Sequence, residues 1–168
     1  MLIITGTMGA GKTSVLGEAS DILALRQIAH AAIDLDTLGL AYLPSAANRD
    51  GVMYRNLQSI CTNYDALRVK RLLLARAIET RAELELCRRS VSAENTVVCR
   101  LTASVETMEQ RVRMREAGVL QQDYVGRVTE LRVILDRAQL EDFVVCTQNR
   151  SITDTAQEML TRAGWISG

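Results

Sequence analysis

A chain of 168 residues suits one domain and at that size buries about 70% of the surface its unfolded form exposes, enough for a real core. Its 20 basic residues equal its 20 acidic ones, so the charge balance does not mark nucleic acid as the main partner. No apolar run approaches the ~20 residues of a membrane span, and the apolar start at Leu2 runs straight into a glycine-rich loop rather than a leader cleavage site, so a cytoplasmic protein is expected.

Leu2, Ile3, Ile4 and Thr5 predict a short, fully buried strand. Gly6-x-x-x-x-Gly11-Lys12-Thr13 follows, and Ser14-Val15-Leu16-Gly17-Glu18-Ala19 opens a helix over 13–25. Backbone N–H groups at a helix N-terminus form a ready-made site for a polyphosphate. Glycines let the chain curl round it with no Cβ in the way. Lys12 brings charge to the β- and γ-phosphates, and the Thr13 hydroxyl suits Mg²⁺. Gly6, Met8, Gly9, Ala10, Gly11, Lys12, Thr13 and Ser14 are therefore the candidate nucleotide ligands, with Thr13 also a metal ligand.

The run 28–34 predicts a second strand, parallel to the first because about thirteen helical residues separate them. It closes on Asp34-Leu35-Asp36. Ligands of open parallel sheets bind beyond the carboxyl ends of the strands, and alternation places residues i and i+2 on one face. Asp34 and Asp36 are thus candidate catalytic acids: one to hold Mg²⁺ (Asp34 is the metal candidate), the other to accept a proton from an attacking hydroxyl. The alternative for Asp36 is a turn cap.

Residues 36–45, with the single proline Pro44, predict a loop or lid. A mostly helical stretch over 48–67 follows, with Val52, Leu57, Ile60 and Leu67 spaced for one buried face. The run 71–76 fits strand or helix by periodicity, and the alternation of layers makes it a strand. A charged amphipathic helix (79–89), a β-branched strand (96–101), a basic helix (105–115), a long helix (123–140), a strand (143–146) and a last helix (154–163), closed by Gly164, complete the pass. Five strands alternating with helices give one α/β domain, 1–168: a parallel sheet with helices on both faces. Cys61, Cys87, Cys99 and Cys146 are scattered, with no C-x-x-C pair, and His30 is the single histidine. The cysteines predict small apolar core residues rather than a zinc or disulfide framework, and His30 carries no expected catalytic role.

Arg111, Arg113 and Arg115 end the basic helix. Arg111 and Arg115 share a face and Arg113 does not. A guanidinium can stack on adenine or neutralise a transferring phosphoryl group, so Arg111 is a candidate nucleotide ligand and Arg115 a candidate catalytic residue; the alternative is a solvated basic helix end. Asn149 and Arg150, after the last strand, are candidates to flank the base. Arg49, Arg55 and Asn56 fit acceptor recognition or plain surface equally well, and the role of Glu79 stays open. No Asn/Thr-Lys-x-Asp guanine-reading pattern occurs, which favours ATP.

The loop GTMGAGKT, the Asp-x-Asp after the second strand and the Leu101…Glu106…Arg111…Arg115 run together resemble the P-loop kinases of small molecules: shikimate, gluconate and adenylylsulfate kinases and chloramphenicol phosphotransferase. The stretches AAIDLDTLGLAY, RNLQSICTNY and EDFVVCTQNRSITDTAQEMLTRAGW resemble, more closely, a group of bacterial ATP-binding P-loop proteins. The resemblance implies a three-layer sandwich with a five-stranded sheet in the order 2-3-1-4-5, an acceptor-binding mobile segment at 36–70 and a short lid at 111–122. Lys12 and Thr13 match the phosphate and Mg²⁺ ligands, Asp34 the acid, Arg111 the adenine-stacking arginine and Arg115 the lid arginine. The glycine-rich end of the third strand in shikimate kinases is missing here.

The expected activity is transfer of the γ-phosphoryl group of ATP, with Mg²⁺, to a small-molecule hydroxyl, by a monomer or homodimer with no nucleic-acid or membrane partner. The alternative is a nucleotide-dependent switch or slow ATPase acting on a protein partner. A concave, polar pocket beside Asp34 favours the first, and a flat apolar patch there the second.

Overall fold

In the computed structural model, described over residues 1–40, 49–91, 93 and 95–167, with the backbone alone at 49 and 50, the strands are β1 (Leu2–Thr5), β2 (Ala31–Asp34), β3 (Leu72–Ala75), β4 (Val97–Thr102) and β5 (Phe143–Cys146). The helices are α1 (Lys12–Leu25), α2 (Leu35–Leu38), α3 (Arg49–Ala66), α4 (Arg81–Val91), α5 (Val105–Arg115), α6 (Gln121–Ala138) and α7 (Ile152–Arg162). The strands form one sheet in the order β2-β3-β1-β4-β5, every pair parallel. This is the expected order. β1 is central, flanked by β3 and β4, and all four of its residues are buried, as a strand covered on both faces must be.

Alternation along the strands sends side chains into two cores. Leu2, Ile4, Leu73, Cys99 and Val145 pack with Val15, Ala19 and Leu23 of α1 and Ala156, Met159 and Leu160 of α7. Ile3, Ile33, Leu74 and Val98 pack with Met53, Leu57 and Cys61 of α3 and Leu84 and Cys87 of α4. With helices over each face and all five carboxyl ends at one edge, the loops that follow the strands converge there.

Several local expectations need correction. Residues 28–30 are not strand. Arg26 caps α1, Gln27 takes a left-handed φ of 55°, and the Ile28 N–H donates back to Leu23 O at 2.9 Å while Gln27 N–H reaches Ala24 O. That is the paired-bond helix stop in which the residue after the left-handed position is apolar. Ile28 is apolar for that reason and is unavailable to the sheet. The first ladder bond is Ala31 N–H to Arg71 O. The same pair of bonds ends α3 at Arg68 (φ 60°) and α7 at Gly164 (φ 70°); Gly164 lies one position beyond the cap, Ala163.

The buried face of α3 is Met53, Tyr54, Leu57 and Cys61. Val52 and Ile60 are only half-buried and Leu67 is exposed, so the helix is turned by about one residue from the expected stripe. Part of the loop expected at 36–45 is helix α2, and 41–48, including Pro44, lie outside the described residues. Cys61, Cys87 and Cys99 are buried as expected, whereas Cys146 is exposed. Among the described residues no helix is long and apolar enough to cross a membrane.

Candidate active site

The loop between β1 and α1 carries the glycines where geometry demands them. Gly9 has φ 73°, and a Cβ there would lie 2.2 Å from the carbonyl oxygen of Met108, so no larger residue fits without moving α5. Gly11, the N-cap of α1, has φ 95°. Thr7 is buried and its hydroxyl donates to Met108 Sδ at 2.9 Å. The loop is thus fixed against α5, and Met8, Gly9, Gly11, Lys12, Thr13 and Ser14 line one concavity at the start of α1.

Lys12 Nζ donates to Gly6 O at 3.1 Å and Thr7 O at 3.0 Å. Burial pushes its ammonium down to about 8, against the pull of Asp36 and Asp34 and with a further push from Arg115 and Arg76. Thr13 Oγ1 donates to Asp34 Oδ2 at 2.7 Å, so the residue after the lysine and the acid at the end of β2 meet directly. A hydroxyl and a carboxylate at that spacing suit Mg²⁺, which keeps most of its waters and takes few protein ligands. Among the described residues no group of three or more His, Cys, Asp or Glu could hold a metal by itself.

Asp34 and Asp36 do not share a strand face. β2 ends at Asp34, whose Oδ1 accepts from the Asp36 N–H at 3.2 Å and caps α2. An Asp at that position starts a helix more readily than it prolongs a strand, so Asp36 sits in the first turn of α2. It still reaches the cleft by this route, and Arg76 Nη1 donates to Asp36 Oδ1 at 2.9 Å.

Arg76 and its neighbours are what sequence reading missed. Arg76 follows β3, and its Nε donates to Glu83 Oε1 of α4 at 2.6 Å. Glu83 also accepts from Tyr54 OH at 3.3 Å and, through Oε2, from the Glu79 N–H at 2.9 Å. Burial, with Cys87 and Glu83 alongside, raises the Tyr54 phenol well above its ordinary range, so it stays a donor. Burial, the largest single effect, lowers the Arg76 guanidinium, but its bond and charge attraction to Glu83, with Tyr54 and Asp36 added, together carry the net shift upward. Arg127 of α6, also missed, donates to Glu79 at 2.6 Å and pairs with Glu130. Arg76 was within reach of sequence reasoning, since a charge ending the apolar run 72–75 lies at a strand's carboxyl end. Arg127 left no such trace.

Arg76, Glu79 and Arg127 line a cleft of about 250 Å³ together with Lys12 and Thr13 of the phosphate loop, Asp36 and Arg115. It is concave and polar. Two larger depressions, of about 580 and 610 Å³, lie at the amino ends of β2 and β3 and beside β4 and β5, and neither includes Lys12 or Thr13.

Of the arginines on α5, Arg111 donates to Gly9 O at 3.2 Å and to Thr147 Oγ1 and O at 2.9 and 3.1 Å, tying the phosphate loop to the chain beyond β5. Arg113 turns aside to Glu109, as the helical spacing requires. Arg115 is more than half exposed, bonds Glu116 at 2.8 Å and lines the cleft. Asn149 holds a left-handed turn, φ 57°. Arg150 is paired with Glu158 and Asp154 O. Glu79 lies at the cleft, and Asn56 Nδ2 donates to Leu38 O at 2.8 Å, joining α2 to α3. Arg55 is exposed, and the side chain of Arg49 lies outside the described residues.

No protein-family model matches the chain, and no curated protein matches its sequence. Solved structures do. A sugar kinase from a Janibacter species superposes with a TM-score of 0.67 at 14% identity, covering 97% of this chain and 93% of its own. The APS kinase of Mycobacterium tuberculosis, bound to AMPPNP and APS, gives 0.64 at 22% identity over 97% and 96%. Shikimate kinase from Acinetobacter baumannii, bound to shikimate, gives 0.63 at 19% identity over 96% and 91%. The fold is shared with these kinases along nearly the whole chain.

Proposed function

We propose that this chain is a phosphotransferase that moves the γ-phosphoryl group of ATP to a hydroxyl of a small molecule, with Mg²⁺. The observation that carries the reading is the direct Thr13–Asp34 contact of 2.7 Å, with Thr13 lining a concave, polar cleft to which other elements also contribute. A nucleotide site alone needs no such contribution. A switch acting on a protein would present a flat apolar patch beside Asp34, so the cleft favours transfer to a small molecule. The kinase folds of the similar structures support the same choice.

In this reading the loop amides and Lys12 hold the β- and γ-phosphates, and Lys12 leaves the carbonyls of Gly6 and Thr7 to do so. Thr13 and Asp34 hold the metal, which neutralises charge on the phosphates. Asp36, oriented by Arg76, takes the proton of the acceptor hydroxyl. Arg115 neutralises charge that develops on the transferring group, a role that rests on positioning rather than covalent chemistry. Arg111, its donors fixed on Gly9 and Thr147, offers a guanidinium face to the adenine, with Asn149 and Arg150 flanking the base. The described parts of the 36–70 segment hold the acceptor, and 111–122 closes over the nucleotide, excluding water.

The test is transfer of labelled γ-phosphate from ATP across a panel of hydroxyl compounds, with the wild type and Asp34→Asn. A phosphorylated acceptor, with turnover in Asp34→Asn reduced at least a hundredfold and ATP still bound, is expected. Full activity in Asp34→Asn removes that residue from the reaction.

A further inference from the structure

Glu83 does not line the cleft, yet donors from three places in the chain converge on its carboxylate. Oε1 accepts from Arg76 Nε at 2.6 Å and from the Tyr54 hydroxyl at 3.3 Å, and Oε2 accepts from the Glu79 N–H at 2.9 Å. Tyr54 is itself buried on α3 and takes a weak bond from Cys87 Sγ at 3.7 Å. Three bonds to a side chain only 16% exposed hold it in one orientation.

The backbone that carries Arg76 is pinned as well. The Arg76 N–H continues the sheet ladder to Ile4 O at 3.1 Å, and two residues on, the Ile78 N–H donates to the buried Thr5 hydroxyl at 3.0 Å. What remains to be aimed is the side chain, which is long and rich in rotamers. Glu83 takes Nε, the guanidinium nitrogen nearest the backbone, and Nη1 is then directed at Asp36 Oδ1, 2.9 Å away. Asp36 needs such an anchor. Its carboxylate is 65% exposed, and among the described residues Arg76 supplies its only side-chain hydrogen bond.

We propose that Glu83 is a positioning residue for phosphoryl transfer: braced by Tyr54 and the Glu79 N–H, it holds the Arg76 guanidinium at the angle that sets Asp36 in the cleft. The proposal rests on the phosphotransferase reading. In the transfer step the acceptor oxygen bonds to the γ-phosphorus, the bond from that phosphorus to the oxygen bridging the β-phosphate breaks to release ADP, and the acceptor's proton passes to Asp36. A carboxylate displaced by about 1 Å from the acceptor hydroxyl serves that proton poorly. ATP, held by the loop, is bound as before.

The test is a double-mutant cycle on transfer to an acceptor found among the hydroxyl compounds, using the full-length protein with Glu83→Gln, Asp36→Asn and the two combined. Glutamine keeps the shape of Glu83 but has one acceptor oxygen where the donors use two, so it loosens the aim of Arg76 and keeps the packing. Expected in Glu83→Gln is a fall in kcat of about tenfold, with the dissociation constant for Mg·ATP within about twofold of wild type. Added to Asp36→Asn, the same change should alter kcat by less than about twofold, because a residue acting through Asp36 has nothing left to act through. Tyr54→Phe, which removes one bond and leaves the Glu83 charge, makes the same cycle should Glu83→Gln fail to fold; its fall of roughly threefold in kcat should vanish in Asp36→Asn. An unchanged kcat in a folded variant, an equal loss of ATP affinity, or a loss repeated in full in the Asp36→Asn background makes Glu83 a structural residue only and overturns the proposal, while the phosphotransferase reading stands. Transfer to no hydroxyl compound by wild-type protein that binds ATP overturns that reading and the proposal with it.

Discussion

At the scale of single residues, Lys12 shows how the loop prepares for an anion. Its ammonium is desolvated among backbone carbonyls, which brings its pKa down to about 8 from an ordinary 10.5. A triphosphate against it restores the charged form and raises the pKa again. The sign for binding follows directly. Below pH 8 the free protein already carries the charge and ATP binds without taking up a proton. Above pH 8 binding must draw one proton from solvent, so affinity falls by up to about tenfold per pH unit. Calorimetry in buffers of different ionisation enthalpy should find close to one proton taken up near pH 9 and almost none near pH 7. Equal uptake at both would mean that Lys12 does not meet the phosphates. The same depressed value makes the charged form costly to the fold below pH 8 and relieves that cost as pH rises toward 10.5.

Among the elements, what was legible in the sequence was whatever depends on neighbours in the chain. The phosphate loop, the bounds of α5 at 105–115 and of β5 at 143–146, and the alternation of strands with helices all follow from local pattern. The misses are of two kinds. Ile28 reads as strand because its apolar character serves a helix stop as well as a sheet. Arg76 meets Glu83 only seven residues on, but across the turn from β3 into α4, whereas Arg127 and Glu79 are 48 residues apart and nothing in local spacing records that pair. The helix stop gives a prediction of its own. Gln27 is exposed and left-handed at φ 55°, a conformation that costs a residue with a Cβ about 1 kcal/mol relative to glycine. Gln27→Gly should therefore raise the melting temperature by a few degrees with ATP binding untouched. A lowered melting temperature would show that the side chain, not the backbone, matters there.

Over the whole molecule, the sheet order puts β1 between β3 and β4, and this single fact assembles the site. The loop after β1 brings the amides and Lys12, β2 brings Asp34, the chain after β3 brings Arg76 and Glu79, and the α5–α6 hairpin after β4 brings Arg115 and Arg127. Each group arrives on a different element, so their spacing is a property of the packed sandwich and not of any segment. The most direct measurement of the central claim is a crystal structure of the protein with a non-hydrolysable ATP analogue and Mg²⁺. The account predicts the β- and γ-phosphates on the amides of residues 9–14, Lys12 Nζ moved from the carbonyls of Gly6 and Thr7 onto them, and Thr13 Oγ1 on the metal beside Asp34. A nucleotide bound elsewhere, with Lys12 still on those two carbonyls, would contradict it.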